Sequence, residues 1–600
     1  MKLKQWFSRP GKPSLFDRYA APAVLLTSVW LVLVDNGSLW SLVNTFPGSP
    51  GLPQGWITVT MFLFTVALVN LLLTLLAFGR ATRWILAAFL VVSAAIAYFM
   101  NHYGIMLDTG MIENVFETDR AEALELLNFG LVWRVLLFGV LPAAVIWRLA
   151  PRRQRLWDIV LEKSSVALLS LAVIAIAVGP FFKEYVSLVR NHRQIRYLVT
   201  PANLLDSTYG YVAEALKSPL TMTPVGEDAT RGDHLKAVQR PVVTVLVVGE
   251  TARADHFSLN GYERETNPEL AAWHVVYFED VSSCGTATAV SLPCMFSDLS
   301  RSDYSKSGAK SRDGLLKVVS RAGFQTEWLD NNAGCKGVCD NVDTWISEGM
   351  DTEGMCIDGE CYDDILLDKL DESLGRATRG QHQDRLIVLH QNGSHGPAYY
   401  RRYPEAFRRF TPDCRSDEFS DCSREEIVNS YDNTIYYTDH FLARIIDKLD
   451  DYSDRMDTAL LYVSDHGESL GEYGLYLHGT PYMLAPSSQT HVPMLFWMSS
   501  AYRQDFGVDP KCLDRRRTAP LSHDYLFHSV LGMLDIATAA RDSQLDLFDG
   551  CAGPAADTAP MADAADPAGM TRSAAISPNG AAGRLGKLPL AAGAVRGKSH

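Results

Sequence analysis

Long apolar stretches alternate with short polar ones over the first 183 residues, and then the pattern changes character. Five runs, at roughly 20–40, 57–79, 83–101, 128–147 and 164–182, are each near the ~20 residues that cross hydrocarbon as a helix. The first is too long for a removable leader and lacks the small-residue site at which one is cut. Asp35 and Asn36 within it put its outer end at an interface. From about residue 220 the apolar runs shorten. "PVVTVLVVGE" (241–250) is unbroken and β-branched, as expected of a strand buried on both faces of a parallel sheet. "RLIVLHQNGSHG" (385–396), "TALLYVSDHGES" (458–469) and "HVPMLFWMS" (491–499) have the same form. Helical patterns lie between them, the longest over 424–451, so the second part reads as an α/β/α sheet.

Charge orients the first part. Residues 1–18 carry Lys2, Lys4, Arg9, Lys12 and Arg18 against Asp17. Arg80 and Arg83 flank the turn after the second run, and Arg148, Arg152, Arg153 and Arg155 follow the fourth. With five crossings these segments share one side, while the other connections are uncharged (41–56) or acidic (102–127). Basic loops stay in the cytoplasm, so the N-terminus is expected there and everything after about residue 183 outside. The whole chain of 600 residues has a net charge of −14 and no basic stripe, which argues against a nucleic-acid partner.

The cysteines bear on the compartment. All ten lie after residue 283, and eight form close pairs: Cys284 and Cys294, Cys335 and Cys339, Cys356 and Cys361, and Cys414 and Cys422. Such pairs read as disulfides of an oxidising compartment. Zinc ligation is the competing reading, disfavoured because no pair has the CxxC…CxxC form. Nothing local pairs Cys512 with Cys551.

Glu250, Asp465 and His466 each stand where a strand pattern stops, and His478 follows twelve residues on in "YLHGTP". Parallel α/β sheets gather ligands at the carboxyl ends of their strands. Carboxylates and an imidazole suit Zn²⁺, although a single Asp after a strand is more often a cap or turn residue. "SCGTATAVSLPC" (283–294) encloses Thr286 and Thr288 between two cysteines. A metal would lower the pKa of a threonine hydroxyl and make it a nucleophile, and a helix opening at "ATAVS" would offer free N–H groups to a phosphate. Equally, both threonines are ordinary helix caps by spacing alone.

Longer motifs decide more. "VVGETARADHFSLNGYERETNP" (247–268), "SCGTATAVSLPCMFS" (283–297), "DNNAGCKGVCD" (330–340), "LHQNGSHGPAYY" (389–400) and "SDHGESLGEYGLYLHG" (464–479) closely resemble the lipid A phosphoethanolamine transferases, the family of the mobile colistin-resistance enzymes. The resemblance covers roughly residues 15–540. It implies an N-terminal five-helix transmembrane domain plus an α/β/α periplasmic domain of alkaline phosphatase/sulfatase-like type. The expected divisions are an anchor over 1–182, an interfacial linker over 183–225, a catalytic domain over 226–545 and an Ala/Gly/Pro-rich, disordered tail over 546–600.

By that resemblance Glu250, Thr288, Asp465 and His466 look like the zinc set, for one tightly bound ion with a second left open. Thr288 looks like the nucleophile that becomes phosphoethanolaminylated. His395 and His478 look like groups that bind the phosphate, a second zinc or the leaving group, and Lys336 like a phosphate or acceptor contact. The family often has a serine where Ala333 stands, so a hydroxyl is lost there. "MIENVFETDRAEA" (111–123) resembles the segment that meets the donor lipid. Its Asn114, Thr118 and Glu122 are spaced to share one helix face, with Glu122 set to pair with an ethanolamine ammonium; a solvated face of an interfacial helix is the plainer reading. The implied reaction transfers phosphoethanolamine from phosphatidylethanolamine to a lipid A phosphate, by a monomer in the bacterial inner membrane. A transferase of phosphoethanolamine or phosphoglycerol to another envelope glycan, a zinc phosphodiesterase, and a membrane-anchored lipid-binding protein are the alternatives. A sulfatase is disfavoured, since no Cys/Ser-x-Pro-x-Arg motif surrounds the threonines.

Overall fold

The computed structural model describes residues 19–46, 53–118, 123–124, 126–151, 155–216, 221–347, 349–350, 352–357, 359–378 and 383–553. The basic residues 1–18, Glu122, Arg152, Arg153 and most of the expected tail lie outside them.

Helices α1 (Ala21–Val34), α2 (Gly37–Asn44), α3 (Gln54–Leu76), α4 (Thr82–Tyr103), α5 (Thr109–Glu117), α6 (Phe129–Leu149) and α7 (Leu156–Val178) make up the N-terminal part. Among the described residues four helices are long and apolar enough to cross a membrane, or five if the bent pair α1 and α2 is one span. That bend is 58° and falls on Asp35 and Asn36. Neither residue is laid open to headgroups: both are buried. Asn36 finds hydrogen-bond partners within the protein that replace water, whereas Asp35 has only the nearby charge of Arg134. Asn36 Nδ2 donates to the carbonyls of Leu31 and Thr200, both at 2.9 Å, and Asn36 Oδ1 accepts from Thr200 N at 2.8 Å. Arg134 Nη2 lies 3.5 Å from Asp35 Oδ1.

The last apolar run starts as a helix at Leu156, eight residues earlier than its apolar stretch. The charged residues that delay the apolar pattern are spent on helix ends. Lys163 Nζ donates to the carbonyls of Thr74 and Leu75 at the end of α3, and Glu162 Oε1 accepts from Ala21 N at the start of α1. Helices α8 (Phe182–Asn191) and α9 (Ala202–Ala215) then lead to the second part.

A seven-stranded sheet forms the centre of that part. Its strands are β1 (Val242–Gly249), β2 (Val276–Phe278), β3 (Gln325–Asp330), β4 (Asp343–Ile346), β5 (Arg385–His390), β6 (Asp457–Ser464) and β7 (Met494–Met498), in the order β2-β7-β6-β1-β5-β3-β4. The strands from β6 to β4 are parallel; β7 and β2 extend the β6 edge antiparallel. The unbroken apolar run of β1 follows from its two buried faces. Val242, Leu246 and Val248 pack with Phe296, Trp328 and Leu531, whereas Val243, Val245 and Val247 pack with Ile435, Phe441 and Leu442.

Helices α10 (Thr288–Met295), α11 (Lys306–Lys310), α12 (Leu315–Arg321) and α15 (Asp524–Met533) lie towards the first face, apart from the short surface helix α11. Helices α13 (Ile365–Ala377) and α14 (Arg424–Asp451) cover the second. The long α14 begins with a capping box, in which Ser423 and Glu426 satisfy each other's backbone N–H groups.

All ten cysteines are paired. The four close pairs are disulfides: Cys284 bonds Cys294, Cys335 bonds Cys339, Cys356 bonds Cys361, and Cys414 bonds Cys422. None of these eight is left as a thiolate to hold zinc. A fifth bond joins Cys512 to Cys551, a pair for which the sequence has no local cue. Each short bond closes a loop rather than joining distant elements. Cys335 and Cys339 hold the loop between β3 and β4, Cys356 and Cys361 face each other across a two-residue strand pair before α13, and Cys414 and Cys422 hold the loop that leads into α14. Register brings four strand ends level: Gly249 faces Ser464, Val248 faces His390, and His390 faces Asp330.

Replacing Asn36 with Ala removes three buried hydrogen bonds and leaves the Thr200 amide and carbonyl unpaired. A loss of about 1–3 kcal/mol is expected, read as a lower unfolding midpoint of the detergent-solubilised protein with unchanged helical circular dichroism.

Candidate metal and phosphoryl-transfer site

The level strand ends carry the chemistry. Glu250 follows β1 and Asp465 and His466 follow β6, all three buried. One ligand atom from each lies within 4.8 Å of the others. Thr288 is the first residue of α10, and its hydroxyl donates to Glu250 Oε2 at 3.0 Å and lies 3.3 Å from His466 Nε2.

The two threonines of the 283–294 segment separate here. Thr286 spends its hydroxyl on the carbonyl of Thr480, 2.7 Å away, and neither threonine caps α10. The segment is held from several sides. The Cys284–Cys294 bridge closes it, Gly285 N donates to Ser291 Oγ at 2.9 Å, and Cys284 N donates to His523 Nδ1 at 3.1 Å. His523 Nε2 then reaches the carbonyl of Ser464 at 2.9 Å, which ties the threonine's loop to the end of β6. Accepting at one nitrogen and donating at the other fixes His523 as a neutral imidazole, and burial holds its pKa down at about 4.

The carboxylate pair is electrostatically incomplete. Glu250 Oε1 and Asp465 Oδ2 are buried and accept no hydrogen bond. His466 Nδ1 is 3.0 Å from the carbonyl of Gly467, so that nitrogen carries the proton and Nε2 turns its lone pair to the carboxylates. Nε2 lies 3.3 Å from Glu250 Oε1 and 3.4 Å from Asp465 Oδ2. A lone pair facing two bare carboxylate oxygens is repulsive unless a cation stands among them. Burial and the Glu250 charge together push Asp465 well above the carboxylate range. Burial also works against the charged form of Glu250, but the positive charge that His466, His395, His478 and His390 carry when protonated outweighs it and lowers that group's pKa. Burial, with His478 adding to it, lowers His466 to about 3. Two carboxylates, one imidazole and one hydroxyl are a donor set that fits a divalent transition metal.

A cleft opens above this group, lined by Asn114, Glu117, Thr118, Thr288, Ala289, Asn332, Ala333, Lys336, His395 and His478. It encloses about 340 Å³, open solvent included. Its wall comes from the N-terminal part, because α5 packs on α10. The His395 and His478 rings stand 5.7 Å apart, and His478 is 4.5 Å from the His466 ring. His478 Nδ1 meets Glu468 Oε2 at 3.0 Å; burial lowers its pKa, but Glu468 more than compensates and leaves it above the ordinary value. Lys336 Nζ donates to the carbonyls of Ala333 (2.9 Å) and Glu117 (3.1 Å). The Cys335–Cys339 bond closes the loop that carries Lys336. At Ala333 there is no hydroxyl to offer, and its carbonyl serves Lys336 instead.

One expectation needs correction. Asn114 and Thr118 both reach the cleft, but not along a helix face that continues to residue 122. Helix α5 ends at Glu117, and Thr118 turns extended with ψ 129°. Its hydroxyl and its N–H both return to the carbonyl of Asn114, at 2.7 Å each, which satisfies the last turn and stops the helix. Glu122 lies outside the described residues.

Three residues escaped the sequence analysis. Asn332 donates to Glu250 Oε2 at 2.9 Å and to the carbonyl of Gln391 at 2.7 Å, steadying one carboxylate; its signal was the polar "DNN" at the end of β3. Glu117 had an acidic partner one turn earlier at Glu113. His523 had no local signal, since its partners lie 59 and 239 residues away.

Known proteins resemble the chain over both of its parts. Residues 243–536 match the Sulfatase family model and residues 65–216 the model described as phosphoethanolamine transferase EptA/EptB. The chain is 41% identical over 531 residues to phosphoethanolamine transferase EptA of Salmonella typhimurium, covering 88% of this chain and 96% of the relative. It is 36% identical over 539 residues to phosphatidylethanolamine transferase Mcr-1 of Escherichia coli, covering 87% and 96%. The solved integral membrane lipooligosaccharide phosphoethanolamine transferase A of Neisseria meningitidis superposes with a TM-score of 0.85 at 36% identity, over 89% of this chain and 99% of that one.

Stripping the protein with a chelator and restoring Zn²⁺ is expected to raise the unfolding midpoint, since a ligand at a hundred times its Kd adds about 2.7 kcal/mol. In Asp465→Asn, which removes a charge from the pair, most of that gain disappears.

Proposed function

Because the chain belongs to the phosphoethanolamine transferase family, we propose that it moves phosphoethanolamine from phosphatidylethanolamine to a phosphate of lipid A through a covalent adduct on Thr288. The observation that carries this reading is the Thr288 hydroxyl, donated to a buried carboxylate and set beside an imidazole lone pair at the floor of a cleft.

Glu250, Thr288, Asp465 and His466 would hold one zinc ion, and His395 and His478 stand beside that group for a second. When bound, zinc lowers the pKa of a hydroxyl and offsets negative charge on both phosphates. The chain's own residues do the rest. Thr288 Oγ1 attacks the donor phosphorus while Glu250 Oε2, its hydrogen-bond acceptor, draws on the proton. The bond from phosphorus to the diacylglycerol oxygen breaks, and that oxygen takes a proton from His478 or His395 at the cleft wall. Lys336 and Asn332 line the space the phosphate would fill. In the second half a lipid A phosphate oxygen attacks the same phosphorus, its own proton passing to the histidine that gave one up, while the bond from phosphorus to Thr288 Oγ1 breaks and Oγ1 takes back the proton drawn off by Glu250. Asn114 and Thr118 bound the donor side. Each added ammonium masks phosphate charge and weakens the hold of cationic peptides such as polymyxin.

In this reading residues 1–182 form a five-span anchor with a cytoplasmic N-terminus, 183–225 a linker, and 226–553 the periplasmic catalytic domain, which takes in the first residues of the expected tail because Leu547, Phe548 and Cys551 are buried in its core. Basic residues at 1–18, 80–83 and 148–155 support that orientation. So do five disulfides, all beyond residue 283, since such bonds persist outside the cytoplasm.

Purified protein given fluorescent phosphatidylethanolamine should release diacylglycerol, and the peptide containing Thr288 should gain the mass of phosphoethanolamine. Thr288→Ala should abolish the adduct and lower turnover at least about a thousandfold with no change in unfolding midpoint before metal is added. Free phosphoethanolamine without any adduct would instead identify a hydrolase.

A further inference from the structure

The cleft wall built by α5 is held from outside the cleft. Glu113 and Glu117 lie one turn apart on α5, and a single side chain meets both: Lys306 Nζ is 2.7 Å from Glu117 Oε1 and pairs also with Glu113 Oε1. Lys306 opens α11, which Ser305 caps. The next residue, Ser307, donates its N–H to Glu214 Oε1 of α9 at 3.4 Å. One short helix of the second part therefore grips α5 of the first and α9 of the connection between them.

The grip is not an ordinary surface ion pair, whose worth is small. Side-chain exposure is 20% for Lys306, 10% for Glu113 and 28% for Glu117. Removing the ammonium would leave two largely enclosed carboxylates without their direct ion-pair partner, with Lys336 and Lys310 acting on Glu117 only through longer-range attraction. Lys306 does not line the cleft, whereas Asn114, Glu117 and Thr118 do.

We propose that Lys306 is a positioning residue for the lipid donor: by clasping Glu113 and Glu117 it fixes α5, and with it Asn114 and Thr118, at the working distance from Thr288. The proposal rests on the phosphoethanolamine-transfer reading. A donor whose acyl chains stay in the bilayer must bring its phosphorus to Thr288 along the α5 wall. A short, water-soluble phosphodiester approaches Thr288 through the open side and needs no such guide. Loss of the clasp therefore separates the two substrates.

The test uses the full chain in lipid nanodiscs, with phosphatidylethanolamine as one substrate and a water-soluble nitrophenyl ester of phosphoethanolamine as the other. Lys306→Ala is expected to slow diacylglycerol release at least tenfold while nitrophenolate release stays within twofold of the unmodified protein. Lys306→Arg, which keeps the charge and the reach, is expected to restore more than half of the lipid activity. Amide hydrogen exchange over 109–117, measured without substrate, should speed at least tenfold in Lys306→Ala and not in Lys306→Arg. Equal losses on both substrates, undiminished lipid turnover, or unchanged exchange over 109–117 would each overturn the proposal. If the unmodified protein releases neither product, the transfer reading falls, and the exchange result alone then decides whether the clasp exists.

Discussion

Two acidic side chains at adjacent strand ends, Glu250 and Asp465, are sealed from water, and each has an oxygen that no described residue satisfies with a hydrogen bond. Carboxylates are hydrated strongly enough that such burial is unfavourable without compensation. The surrounding architecture concentrates compensation on that point. Asn332 donates to Glu250, Thr251 N and His466 N donate to Asp465, and the Gly467 carbonyl turns His466 towards both. The remaining deficit is one of positive charge, which a divalent ion supplies, and the hydroxyl of Thr288 sits where it would share that ion.

The rigidity of the threonine's loop follows from the same need. A nucleophile misplaced by an ångström loses much of its advantage. Here a disulfide, the buried Ser291 hydroxyl and a neutral His523 all fix the same short loop. His523 connects it to the strand that ends in Asp465, which ties the proposed nucleophile to the charge pair.

Much of this was legible in the chain. The buried strands showed themselves as unbroken β-branched runs, and their abrupt ends in Glu250 and in Asp465–His466 pointed to the site. Close cysteine spacing sufficed for Cys294, Cys339, Cys361 and Cys422, each of which bonds the cysteine just before it in the chain. What stayed hidden depends on contacts across long separations. Strands β3 and β4 carry little apolar signal of their own, since β4 is an exposed edge and β3 reads as "QTEWLD", and β2 ("VYF") is apolar but only three residues long. The break at Asp35 and Asn36 is stabilised by Thr200, 164 residues on. The end of α5 at Glu117 depends on a threonine whose side chain folds back, and periodicity does not record that. Cys512 and Cys551, 39 residues apart, pair only because the chain after α15 returns to the Asp509 region.

The wall contributed by α5 also has a practical bearing on inhibitor discovery. A soluble fragment begun after the last apolar helices would lack Asn114, Glu117 and Thr118, and with them one side of the cleft. Compounds ranked on such a truncated target would be scored against a half-open groove. Ligands that bridge from Lys336 across to the missing side would be overlooked, and ligands that occupy its place would be overvalued.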